Sequence, residues 1–197
     1  MSPKQMTNRQ LEIIEAAGKI LSLSGVSGLT IKNLAKEMKF SESAIYRHFS
    51  SKEDIVVALL EYLANNMEER YHQATSLDAS PEEKFKALFM SQFVYLAKHP
   101  YFVTSIFSDG LMVEGGRVNE AILKIMTVKM KYLMPIIMSG QQKNVFTNAL
   151  TAEEIIDVVM GTMRLQMFKW RVANYQFDIV RKGENTTLAL LTLITAK

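Results

Sequence analysis

The side chains best suited to chemistry lie in one run, Thr30 to Lys52, TIKNLAKEMKFSESAIYRHFSSK. Arg47 offers a donor fork that fits guanine O6 and N7, and Glu42 can accept a hydrogen bond from cytosine N4. Ser41 and Ser43 add short hydroxyls beside them. Lys52 falls where a helix begins, which is the unfavourable end of the dipole for a cation but a good position for reaching a phosphate. Elsewhere the reactive types are scattered. The histidines are His48, His72 and His99, and neither His72 nor His99 has a carboxylate or second histidine at ligand spacing on its helix. Glu68-Glu69 and Glu153-Glu154 are adjacent pairs, which diverge on a helix. The sequence has no cysteine, no Gly-rich phosphate loop, no nucleophile elbow and no HExxH. An enzyme, a cofactor and a metal are not expected.

The elements that position this run are two short helices and a turn. Thr30 is an N-cap, its hydroxyl able to accept a free N–H of the first turn. Ile31, Leu34, Ala35 and Met38 then share one face, leaving Lys32, Asn33, Lys36 and Glu37 outside. Lys39-Phe40 makes the turn and Ser41 is a second N-cap. From Ser41 to Phe49, Ala44, Ile45 and Phe49 point inward, while Ser41, Glu42, Ser43, Tyr46, Arg47 and His48 stay exposed. This pattern is a helix-turn-helix, which sets its second helix in the major groove.

The run also resembles the DNA-binding signature of the TetR family of bacterial transcriptional regulators. The matching elements are Thr30-Ile31, Leu34-Ala35, Phe40-Ser41, Tyr46-Arg47-His48-Phe49 and Lys52-Glu53, within a match from about Ile13 to Leu60. The resemblance implies that Tyr46, His48 and Lys52 touch phosphates and that Thr30 is a backbone-positioning cap. Phosphate contacts fix register and carry little sequence information, so base reading falls to Ser41, Glu42, Ser43 and Arg47. Lys32 completes the expected DNA face. Two departures stand out. Lys39 occupies a turn position where the family usually has Gly, and Glu42 opens the recognition helix, where an acid opposes phosphate but suits the helix dipole.

Composition agrees with an all-α protein. The chain has 197 residues, 48% of them hydrophobic, with four prolines and one tryptophan. Residues 1–52 hold eight Lys/Arg and four Asp/Glu, a charge of +4, and residues 53–197 hold fifteen and sixteen, a charge of −1. The basic excess therefore sits with the helix-turn-helix, as expected of a segment drawn to a phosphate backbone. There is no run of apolar residues long enough to span a membrane, and the N-terminus lacks a signal peptide's apolar core, so a cytoplasmic protein is expected.

About nine helices are expected. Thr7 or Asn8 caps a first helix that runs to about Ser24 and closes a three-helix head with the helix-turn-helix pair. Ser50 or Ser51 caps a long fourth helix, from Lys52 to about Ala74. Ser80-Pro81-Glu82-Glu83 starts a fifth that stops at His99-Pro100. A short sixth runs from Tyr101 to about Phe107, before a turn at Ser108-Asp109-Gly110. The seventh runs from about Gly116 to Met138, with Pro135 a candidate kink through its missing backbone donor, and Ser139 to Leu150 is a loop. Thr151-Ala152-Glu153-Glu154 caps the eighth, and the ninth spans about Phe177 to Ala196. The expected division is a DNA-binding domain at 1–52 and a ligand-binding and dimerisation domain at 53–197.

The eighth helix is apolar nearly all round and must be covered on every side. A two-fold four-helix bundle from the last two helices of each subunit would cover it, with Ile156, Val159, Met160, Gly161, Leu188, Leu191 and Ile194 at the seam. The resemblance implies the same homodimer. It also implies an inducer held between the middle helices, for which Met67, Phe89, Phe93, Phe102, Ile106, Met126, Met130, Met163 and Met167 are candidate lining. Arg164, Gln166 and Lys169 are candidates to anchor a polar end of that ligand. The expected function is a repressor that occupies a near-palindromic double-stranded operator and is released by a small apolar or aromatic ligand tilting the fourth helix. The rival is a ligand-binding or interaction dimer of the same fold that lacks specific DNA binding.

Overall fold

The computed structural model describes residues 6–103 and 115–196, and among these the chain is helical with no strand. Eight helices follow in order: α1 (Asn8–Gly28), α2 (Ile31–Met38), α3 (Glu42–Tyr46), α4 (Lys52–Thr75), α5 (Pro81–Lys98), α6 (Gly116–Gln142), α7 (Ala152–Val172) and α8 (Ile179–Ile194). Residues 101–103 are also helical. The remainder of the expected sixth helix and the turn at Ser108-Asp109-Gly110 lie outside the described residues, as does Ile106.

The helix starts follow local capping chemistry. Thr7, Ser80 and Thr151 each close a capping box with the residue three positions on, Gln10, Glu83 and Glu154, so two orphan N–H groups are satisfied at each start. The Ser80 hydrogen bonds hold the Glu83 carboxyl below its ordinary range, and those of Thr151 do the same for Glu154. Asp178 caps α8 by accepting from the N–H groups of Val180 and Arg181. Gly25 breaks α1 at φ 67°, ψ −171°, which is why the sequence reads as a stop near Ser24. In contrast, α6 runs through Pro135 and continues past Met138 to Gln142. It ends where Phe146 folds back, its N–H and that of Val145 both donating to Gly140 O.

The chain forms two compact units, Met1–Ala64 with Tyr101–Ile125, and Asn65–Pro100 with Met126–Lys197. The functional boundary expected at residue 52 falls inside the first, at the start of α4. The core of the first unit gathers Ile13, Ile14, Ala17 and Leu21 of α1, Leu34 of α2, Ile45 of α3, and Ile55, Val56 and Leu59 of α4. Gly18 permits close approach there, since a Cβ would stand 3.0 Å from Tyr101 Cδ2.

In the second unit α5 and α8 pack closely because Gly183 faces Phe93. A Cβ on Gly183 would lie 2.3 Å from the Phe93 ring. Phe146, fully buried, pairs with the chain end: Thr147 N–H donates to Ile194 O and Ala196 N–H to Val145 O. Trp170 of α7 donates from Nε1 to Phe177 O at 2.9 Å and meets Tyr175 edge to face. Among the described residues no helix is long and apolar enough to cross a membrane.

Candidate nucleic-acid interface and effector body

The helix-turn-helix is built as its sequence implies. Thr30 Oγ1 accepts from Asn33 N–H at 3.1 Å, and Asn33 Nδ2 reaches back to Gly28 O at 2.8 Å. At the other end of α2, Lys39 adopts the left-handed conformation, φ 57° and ψ 40°. Phe40 N–H then donates to Ala35 O at 2.8 Å and Lys39 N–H to Lys36 O at 3.2 Å, the paired closure of a Schellman motif. Lys39 therefore keeps the turn geometry of a glycine and bears its strain. The Arg9 guanidinium sits 4.9 Å above the Phe40 ring, fixing α1 against the turn.

Ser41 caps α3 by accepting from Ala44 N–H at 3.2 Å, and its hydroxyl lies 2.9 Å from that of Ser43. The two serines are thus partly engaged with each other. Buried Ile45 and Phe49 pin the helix down, so Glu42, Ser43, Tyr46 and Arg47 face outward, with Tyr46 52% exposed. Thr30 and Lys32 are exposed as well, and His48 and Lys52 are half-buried. Ser51 Oγ accepts from Asp54 N–H at 3.0 Å and so caps α4. Arg117, at the start of α6, donates to Asp54 and holds its carboxyl below the ordinary carboxylate range, against a smaller opposing effect of burial. This pairing joins segments about sixty residues apart, and no local signal announces it.

The ligand candidates are dispersed. Met67, Phe89, Phe93, Met163 and Met167 are buried in the second unit, while Phe102 is buried in the first. Phe93 is covered by Gly183, so one face of its ring is core packing. Met126 and Met130 are 57% and 37% exposed, because they occupy the outer side of α6. An open groove of about 420 Å³ between α5 and α8, lined by Glu82, Lys86, Leu188 and Thr192 among others, contains none of these candidates. Neither does a groove of about 340 Å³ beside Thr75, Lys131 and Tyr132.

Of the polar anchors, Arg164 and Lys169 are exposed, whereas Gln166 is buried with no partner for Oε1. Sequence reasoning missed two cations of this unit. Arg70 donates to Asn66 Oδ1, Ser91 O and Gln92 Oε1 at 2.8–3.1 Å and stacks 4.2 Å from the Tyr95 ring. Lys129 sits on the inner side of α6, where burial, with repulsion from Arg164, pushes its ammonium down to about 8.

The expected seam residues divide between core and surface. Ile156, Val159, Leu191 and Ile194 are buried within the single chain, Met160 is half-buried, and Gly161 and Leu188 are exposed. The uncovered stripe of α7 is instead Val158, Gly161, Leu165, Phe168 and Val172, spaced three and four apart and so on one face. Nothing lies within 4 Å of a Cβ built on Gly161.

Comparison with known proteins places this geometry in a family. Residues 13–59 match bacterial regulatory proteins of the tetR family, and residues 60–193 match the C-terminal region of YsiA-like proteins. The chain belongs to the TetR family. The nucleoid occlusion factor SlmA of Vibrio atlanticus is 28% identical over 123 residues, covering 62% of this chain and 63% of that protein. The match thus spans less than two thirds of that relative. The fatty acid metabolism regulator protein of Bacillus subtilis is 23% identical over 188 residues, 95% of this chain and 96% of that one. The crystal structure of FadR from Bacillus subtilis in complex with stearoyl-CoA superposes with a TM-score of 0.81 at 20% identity, over 93% of this chain and 98% of that one. At that identity the likeness establishes the fold.

Proposed function

We propose that this protein is a ligand-responsive transcriptional repressor that binds a palindromic operator as a homodimer and leaves it when a small, mostly apolar effector binds the body. The observation that carries this reading is the helix-turn-helix itself. Thr30, Lys39 and Ser41 hold α2 and α3 in a closed turn, while Tyr46, Arg47 and Glu42 are presented outward. Lys32, His48 and Lys52 supply further groups for phosphate, Arg47 suits guanine, and Ser41, Ser43 and Glu42 contribute to base reading. Family membership supports regulation, and the stearoyl-CoA held by the Bacillus subtilis neighbour supports an effector with a long apolar part.

For the dimer, the seam we assign is the exposed stripe of α7 with Leu188 and Leu193 of α8. Effector binding then changes the separation of the two recognition helices. Half-sites lie one helical turn apart or a multiple of it, so a coupling of about 1–3 kcal/mol is sufficient. One observation favours the rival reading, a dimer of this fold without specific DNA binding: Glu42 places a carboxylate at the first position of α3. Footprinting on DNA from around the protein's own promoter separates the two. A two-fold symmetric protected site is expected, and protection without preference would contradict the repressor reading.

A further inference from the structure

We propose that the groove between the start of α5 and the C-terminal half of α6 binds a small phosphate ester, its phosphate held by Lys84 and Lys143 and its organic part seated on Pro81 and Ile136. None of the effector candidates lines this groove, and the proposal stands apart from the ligand-responsive reading. The groove has a volume of about 340 Å³, within the range of small-molecule sites. Its floor is apolar, since Pro81 and Ile136 are both buried. Half-buried Lys84, Tyr132 and Ser139 form its walls, and Lys143 stands exposed at the rim. The end of α4 closes another side through Thr75, whose hydroxyl is already spent in donating to Tyr71 O at 2.7 Å.

What separates this groove from an ordinary solvated face is its set of uncommitted donors. The side chains of Lys84, Lys143 and Ser139 and the Tyr132 hydroxyl make no hydrogen bond or ion pair with any described residue. A third lysine makes the contrast. Lys131 pairs with Glu68 and lies 5.4 Å from the centre of the Tyr132 ring. The Tyr71 ring meets Tyr132 edge to face at 5.9 Å, so the Tyr132 ring is fixed and its hydroxyl is what remains for a ligand. Asp78 is the one carboxylate among the described lining residues, and it is exposed and pairs with neither free lysine. Two ammonium groups and two hydroxyls therefore surround an apolar floor with no acid of the chain joining them, and an anion completes the set.

The donor types favour phosphate over carboxylate. A planar carboxylate is matched best by the fork of an arginine, and no arginine is among the described residues that line the groove. Lysines act as separate point charges, which suits a tetrahedral dianion that takes donors from several directions. Pro81 and Ile136 add the apolar contact that an ester gains and a free phosphate ion does not.

The test is calorimetric titration of the purified full-length protein with phenyl phosphate, inorganic phosphate, benzoate and phenol, in a phosphate-free buffer. Phenyl phosphate is expected to bind about tenfold or more tightly than benzoate or phenol, and more tightly than inorganic phosphate, which leaves the floor uncovered. Lys84→Gln combined with Lys143→Gln should weaken phenyl phosphate by about tenfold or more. Asp78→Asn should tighten it by a factor of a few, since a like charge leaves the rim. Lys86→Gln is the control, because Lys86 lines the groove between α5 and α8 instead, and it should change nothing. The substituted side chains are exposed or half-buried, so melting temperatures should stay at the wild-type value and exclude misfolding as the cause. Benzoate or inorganic phosphate binding as tightly as phenyl phosphate overturns the proposal, as does a double variant that binds phenyl phosphate like the wild type. An equal loss in Lys86→Gln overturns it too, since binding would then follow bulk surface charge.

Discussion

Arg117 Nη1 donates to Asp54 Oδ1 at 2.7 Å, tying the first turn of α6 to the first turn of α4. The same nitrogen lies 3.7 Å from Glu53 Oε2. Both acids directly follow Lys52, so without Arg117 they would repel the phosphate proposed for Lys52. Arg117→Ala is expected to weaken operator binding by a factor of a few at low salt, and adding Asp54→Asn should recover most of the loss. Fluorescence anisotropy on labelled operator reads both. Equal loss in the single and double variants would mean that Arg117 acts by touching DNA itself.

The Asp54 pairing also sets a pH dependence. Arg117 holds the carboxyl below its ordinary value of 3.8, so the folded state binds fewer protons than the unfolded one in that range. The pairing contributes its full stability above about pH 4 and loses it as pH falls through the folded value. Asp54→Asn should flatten that part of the acid limb, read as the urea midpoint against pH. An unchanged limb would show that other carboxylates dominate it.

Lys39→Gly is expected to raise stability by up to about 1 kcal/mol, because the left-handed backbone costs a side chain more than it costs glycine. The same change removes a cation beside the DNA face, so operator affinity should fall while the unfolding midpoint rises. A drop in both would mean that the Lys39 side chain supports the fold.

Two glycines in helices should respond oppositely to a methyl group. Gly140→Ala puts a Cβ about 2.0 Å from Phe146 Cδ2, and Phe146 is fully buried, so a loss of about 1–3 kcal/mol is expected. Gly161→Ala meets open space and should be neutral or favourable in the isolated subunit. Thermal melts of the two variants check this.

The seam on α7 can be separated from the core by charge. Phe168→Glu, on the exposed stripe, should shift dimer to monomer in sedimentation velocity while the subunit stays folded. Val159→Glu, fully buried, should unfold the subunit. A Phe168→Glu protein that remains dimeric would move the interface elsewhere.

These outcomes trace what the sequence could and could not disclose. The caps Thr7, Thr30, Ser41, Ser80 and Thr151 were legible because an N-cap is decided by a residue and its neighbours three positions on. The positive φ of Lys39 was not, because a lysine where the family usually has Gly reads as a turn of altered shape, and the backbone instead keeps the left-handed geometry. The exposed face of α3 followed from the spacing of Ile45 and Phe49. The exposed stripe of α7 was not legible: on a helix apolar all round, Ile156 and Val158 carry the same signal, and only packing against elements such as α8 decides which turns inward. Met126 and Met130 were misleading for that reason as well. Lys129 had a signal, a cation set among apolar residues at helical spacing before Leu133 and Ile136, but its depth depends on helices remote in sequence. The bond between Arg117 and Asp54 had none.

Specific, electrostatically driven operator binding is tested by a salt series on DNA from around the protein's own promoter. Selective binding is expected, its logarithm falling steeply with the logarithm of salt, with Lys52→Ala weakening all sequences alike and lowering the slope by about one. Weak binding, equal for all sequences, would contradict it.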